Sequence, residues 1–139
     1  MKEKININFK MNIKNDKKKY EVQFFENGNR YYKNQKTYIT FKEPLFEDKK
    51  YNNLLFICDK EEMQIIRSGH VRMRQKYIEN EQTIGYYNNE LISSEITAYT
   101  NKYEYNNGNI VLDYDILLDE NVIGNYQMEV LIKGVVEDE

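Results

Sequence analysis

Between residues 109 and 118 every even position is apolar or aromatic: Ile110, Leu112, Tyr114, Ile116 and Leu118. An extended chain sends successive side chains to opposite faces, so this stretch gathers its apolar groups on one side only as a strand. A helix would scatter them around its circumference. The same period of two runs through residues 4–14, where Ile5, Ile7, Phe9, Met11 and Ile13 take the odd positions between Lys and Asn. It returns in Tyr20, Val22 and Phe24 within 18–26, and in Tyr126, Met128, Val130 and Ile132 near the end of the chain. No segment carries a convincing amphipathic helical spacing.

Turn chemistry divides the rest into further strands. Asn15-Asp16-Lys17 reads as a tight connection, and Asn27-Gly28-Asn29 as the strongest hairpin signal, because Asn and Gly both accept positive φ. Short strands are expected at Arg30–Tyr32 and Thr37–Phe41. Pro44 then interrupts, and a polar loop through Lys50 leads to Leu54–Cys58. Asp59-Lys60-Glu61 turns the chain into Met63–Arg67. Loops at 80–82 and Asn88-Asn89 bracket Thr83–Tyr87, and residues 91–100 alternate again with Ile92, Ile96 and Ala98 on one face. Asn106-Asn107-Gly108 and Asp119-Glu120-Asn121 close the last two loops, and the acidic tail VVEDE is expected to fray.

At 139 residues and 16.9 kDa the chain suits one domain, 1–139, with one sizeable core. Its 13 Tyr and single Pro favour sheet, whose half-buried pleated surfaces suit aromatic rings. Many antiparallel strands, each with one apolar and one polar face, resolve their edges by closing into a barrel or packing as a sandwich. The expectation is an all-β fold: an antiparallel up-and-down barrel of eight to ten strands, favoured over a sandwich.

The stretch Arg67–Tyr77, RSGHVRMRQKY, concentrates the chemistry. Read as one extended strand, it puts Val71, Met73, Gln75 and Tyr77 on one face and His70, Arg72, Arg74 and Lys76 on the other. Ser68-Gly69 breaks it from the apolar MQII run and marks a turn or bulge. The basic face could hold a phosphate or carboxylate, since Arg forks match such oxygens in pairs. The plainer reading is a solvated outer face with cross-strand partners such as Glu95 or Glu129. An inward Gln75 must find hydrogen-bond partners, either a lumen ligand or neighbouring groups of the chain. An inward Arg67 would need an anion or a carboxylate.

The run RSGHVRMRQKYIENEQTIGYY carries a resemblance. Its Arg67, Ser68, Gly69, Val71, Met73, Gln75, Tyr77, Thr83 and Tyr87 match the signature of the YwiB-like family of uncharacterised bacterial β-barrel proteins. Downstream, GNIVLDYDI and NYQMEVLI are similar to that family's closing hairpin. The resemblance implies a lipocalin-like, or calycin, barrel, and it brings no established activity.

Several function classes find no support. The net charge of −3, with both signs interspersed, offers no footprint for nucleic acid. The single cysteine, Cys58, lies in the apolar run LLFIC and excludes an internal disulfide and a cysteine-based zinc site. One His and one Cys supply no catalytic triad and no metal cluster, so neither an enzyme nor a cofactor is expected. No apolar run approaches the roughly 18 residues of a membrane span, and no signal peptide is evident, so the expected compartment is the cytoplasm. Two readings remain. One is a barrel binding a small amphipathic or anionic molecule through Arg67, Met73, Gln75, Tyr77, Tyr114 and Met128. The other is a protein-interaction module, a homodimer in its simplest form.

Overall fold

The computed structural model describes residues 2–44, 51–106 and 108–135. Ten strands account for almost all of them: β1 (Glu3–Asn15), β2 (Lys18–Lys33), β3 (Lys36–Pro44), β4 (Tyr51–Cys58), β5 (Glu62–Gly69), β6 (Arg72–Ile78), β7 (Gln82–Asn88), β8 (Ser93–Asn106), β9 (Asn109–Leu118) and β10 (Asn121–Gly134). Each pairs antiparallel with its neighbours in sequence, and β1 pairs with β10 from Ile5↔Gly134 to Lys14↔Asn125. The result is a closed, ten-stranded up-and-down barrel.

The alternation decides which face turns inward. Ile5, Ile7, Phe9 and Met11 of β1, Ile110, Leu112 and Tyr114 of β9, and Met128, Val130 and Ile132 of β10 are all buried. Lys, Asn and Glu between them face out. Inside, aromatic rings occupy two regions. Phe9 stacks on Phe24 at 4.7 Å, and Phe41 meets Phe56 edge-on at 5.2 Å. On the other side Tyr77 and Tyr114 lie 4.6 Å apart, and Tyr114 stacks on Tyr126 at 5.1 Å.

Several expectations need correction. Asn27-Gly28-Asn29 is no turn but the middle of β2, where Gly28 pairs with Ile5 on one side and Phe41 on the other. A Cβ at Gly28 would sit 2.5 Å from the Thr40 carbonyl oxygen and 2.8 Å from Ile7 Cδ1, so the glycine is there for close approach. Arg30–Tyr32 therefore belongs to β2, and the turn falls at Asn34-Gln35, whose φ values are 52° and 66°. Arg67–Tyr77 is not one strand either: Arg67 is the last residue of β5 paired with β6, Ser68 and Gly69 still pair with β4, and the chain reverses at His70 and Val71 into β6. Ile92 lies outside β8, exposed, and Leu118 is also exposed at the end of β9.

β8 runs past residue 100 as far as Asn106, with a register shift between Thr100 and Lys102. Ala98 and Thr100 face inward before that bulge, and Tyr103 and Tyr105 after it, so the inward parity switches from even to odd. The loop expected between Pro44 and Lys50, Asn107, and the last four residues of the tail lie outside the described residues.

Candidate functional site

Glu43, Asn52 and Arg67 come together toward the end of the barrel that carries the β3–β4 and β5–β6 connections. Arg67 faces Met73 across the β5–β6 ladder, so both point into the barrel although they lie on different strands. The Arg67 guanidinium forks onto Glu43 near the end of β3, Nε donating to Oε1 at 3.1 Å and Nη2 to Oε2 at 3.2 Å. Nη1 also reaches the Met73 sulfur at 3.1 Å. Asn52, itself buried, donates to Glu43 Oε1 at 3.1 Å and accepts from the Val71 amide at 3.1 Å. The inward arginine has thus found the carboxylate it required, at a residue that carried no sequence signal.

Burial by itself would lower the Arg67 pKa. The charge and hydrogen bonds of Glu43 outweigh that and hold it above its ordinary value. Tyr77 and Tyr114 border the pair, and the Tyr77 hydroxyl hydrogen-bonds that of Tyr114. Burial pushes both phenols up, Tyr114 and then the bond between the two hydroxyls raise Tyr77 further, and the Arg67 charge opposes the rise in both. The site is a cation held by one carboxylate and bordered by neutral phenols.

Gln75 is fully buried where β6 and β7 separate. Their ladder covers only Arg72–Arg74 against Tyr86–Asn88. Beyond it the Gln75 amide substitutes for missing rungs, donating to Thr83 Oγ1 at 3.0 Å, while Thr83 donates to the Lys76 carbonyl at 2.5 Å. Gly85 leaves room for this, since a Cβ there would stand 2.2 Å from Gln75 Oε1. Two polar atoms on the inner wall, Gln75 Oε1 and Thr100 Oγ1, are buried without a hydrogen-bond partner. Thr100 lies opposite Tyr114 in the β8–β9 ladder.

Of the residues singled out from the sequence, Arg67, Met73, Gln75, Tyr77 and Tyr114 line one stretch of the inner wall. Met128 sits a layer away, opposite Leu112 and Met11. His70, Arg72, Arg74 and Lys76 are exposed. His70 departs from the expected row because it lies in the bend rather than on β6. Lys76 pairs with Glu62 at 3.5 Å, on the adjacent strand, rather than with Glu95 or Glu129. His70 and Arg72 border a shallow groove of about 290 Å³ with Gly69, Asn88, Asn89 and Glu90. Sequence reasoning missed Glu43, Asn52 and Thr100. An isolated glycine within a strand, as at Gly85, was the one available hint of close approach.

Comparison with known proteins bears on the fold. The model of the family described as "Domain of unknown function (DUF1934)" matches residues 7–130. Among solved structures, that of the ywiB protein from Bacillus subtilis is similar over 97% of this chain and 94% of its own, with a TM-score of 0.85 at 22% identity. The structure of Ail, the attachment invasion locus protein of Yersinia pestis, aligns over 96% of each chain at 11% identity, with a TM-score of only 0.28. No curated protein matches.

Proposed function

The chain belongs to the DUF1934 family, and from that premise we propose that its barrel is a binding module for a small anionic or amphipathic molecule. Arg67 is the anchoring residue, and no chemical step is involved. The observation that carries this reading is the inward guanidinium, held by the single carboxylate of Glu43 beside Tyr77 and Tyr114. A ligand carboxylate or phosphate presents the same pair of oxygens as Glu43 and can exchange with it on the Arg67 fork. The unpartnered Gln75 Oε1 and Thr100 Oγ1 supply acceptors for a donor on such a molecule, and Met73 and the tyrosine rings suit its apolar part.

The polar outer face supports a barrel in water, placed in the cytoplasm by the same reading and lipocalin-like in its architecture. A bilayer-spanning barrel would turn its apolar band outward, whereas here Ile5, Ile7, Phe9 and Val130 point in. No helix among the described residues is long and apolar enough to cross a membrane.

Native mass spectrometry of gently purified protein, set against the denatured spectrum, tests the proposal. A small extra mass present only in the native wild type, and absent from Arg67→Gln, is the expected outcome. The reading fails if the wild type is bare and a panel of fatty acids and phosphate monoesters leaves its melting temperature unchanged, because ligand binding to the folded state must raise it.

A further inference from the structure

β2 is sixteen residues long, but it pairs with β3 only from Gly28 to Lys33. Its first ten residues, Lys18–Asn27, pair with β1 and have no strand on their other side among the described residues. The orientation of the backbone there follows from the turns. Two-residue hairpins at Asp16-Lys17 and Asn34-Gln35 make Asn15↔Lys18 and Lys33↔Lys36 hydrogen-bonded pairs. Counting by twos from either turn, even residues of β2 bond to β1 and odd residues face the β3 side. Lys19, Glu21, Gln23, Phe25 and Asn27 therefore present their N–H and C=O groups to an edge that no described strand covers. Asn27 is consistent with this: its amide donates to the neighbouring Glu26 carboxylate at 3.2 Å rather than to a described strand.

An edge of ten residues, roughly 34 Å long, is a template for another strand. Its sequence indicates which one. We propose that a second copy of this chain pairs here, β2 against β2, antiparallel about a two-fold axis through Val22. That register joins Lys19 with Phe25 and Glu21 with Gln23 as hydrogen-bonded pairs. Between them Val22 meets Val22, Tyr20 meets Phe24, and Lys18 meets Glu26, each on a shared face.

The register two residues away sets Tyr20 against Glu26 and Glu21 against Phe25, leaving every charge of the edge without its complement. Lysines on an edge ordinarily deter pairing. In the Val22 register each Lys18 has an opposite carboxylate instead, and Lys19 has an exposed ring, that of Phe25. Where β2 leaves β3, a cleft of about 620 Å³ bordered by Asn27, Thr40, Lys42 and Asn53 leaves room for the β1–β2 hairpin tip of the second copy.

Sedimentation velocity of the full chain from micromolar to millimolar concentration tests this directly. A concentration-dependent dimer is expected. Lys18→Glu or Glu26→Lys alone should weaken it roughly tenfold, from two like-charge pairs per interface, and the double exchange should restore it. Amide exchange on the wild type adds a readout that requires no variant: in the dimer Lys19, Glu21, Gln23 and Phe25 become protected. A chain that stays monomeric throughout overturns the proposal. So does a dimer that the double exchange fails to restore, or one in which those four amides still exchange freely. Loss of ligand mass in Arg67→Gln would leave this interface unchanged, so the two proposals fail separately.

Discussion

Gly85 and Gln75 show how much one missing side chain can decide. The Gln75 amide occupies the space a Cβ at position 85 would take, and that Cβ would also stand 2.4 Å from the Arg74 carbonyl oxygen. Backbone cannot move aside cheaply, so Gly85→Ala should cost on the order of 1–3 kcal/mol or more, as overpacking does. Urea unfolding measures it, and a midpoint within error of wild type would sink the account. Cys58 gives a second residue-scale prediction. Burial pushes its thiol from 9.0 up to about 12, with a Tyr103 hydrogen bond opposing and the Asp59 charge adding. The folded chain then holds this proton more tightly than the unfolded one. The associated stability is fully present below pH 9.0 and is lost as pH rises toward about 12. Tyr77 and Tyr114, raised from 10.0 by burial, act in the same direction. Melting temperatures should therefore hold steady up to pH 9.0 and fall above it, and a flat profile across that window would exclude the mechanism.

At the level of strands and turns, hydrophobic parity located β1, β9 and β10 and assigned their inner faces, and the continuous apolar run at Leu54–Cys58 located β4. It misled wherever a turn residue served another purpose. Asn-Gly at 27–28 resembles a hairpin turn, but Gly28 is spent on close strand approach. The β2–β3 and β9–β10 turns use Asn34-Gln35 and Asp119-Glu120, with φ from 50° to 68°. A non-glycine residue in the left-handed region costs about 1–2 kcal/mol, partly offset by the greater freedom glycine has when unfolded. Gln35→Gly and Glu120→Gly should each raise stability by roughly 0.5–1 kcal/mol. A decrease at both turns, read from denaturant midpoints, would show that their side chains do more than tolerate the conformation.

The barrel as a whole is closed by its first and last strands, ten residue pairs joining β1 to β10. β10 is also the second neighbour of β9, from Leu118↔Asn121 to Asn109↔Leu131. Removing residues from Asn121 onward would open both seams and expose Ile5, Ile7, Ile110 and Leu112 at once. Such a truncated chain should show no cooperative unfolding transition by circular dichroism. Retention of a sharp transition would mean that closure contributes little to stability.

The candidate site was legible only in part. Arg67, Gln75 and Tyr77 stood out because a polar or charged group on an apolar face needs a partner, and residue parity alone reveals that need. Parity could not name the partners. Glu43 reaches Arg67 because three strands and a closed barrel bring positions 24 residues apart within 3.1 Å. Gln75 finds Thr83 because β6 and β7 part where Gly85 makes room. Alternation is a property of each strand taken singly, so inside and outside were written into the chain. Which inward groups meet, and which part of β2 no described strand covers, depend on register, bulge and closure, which arise only when all ten strands pair.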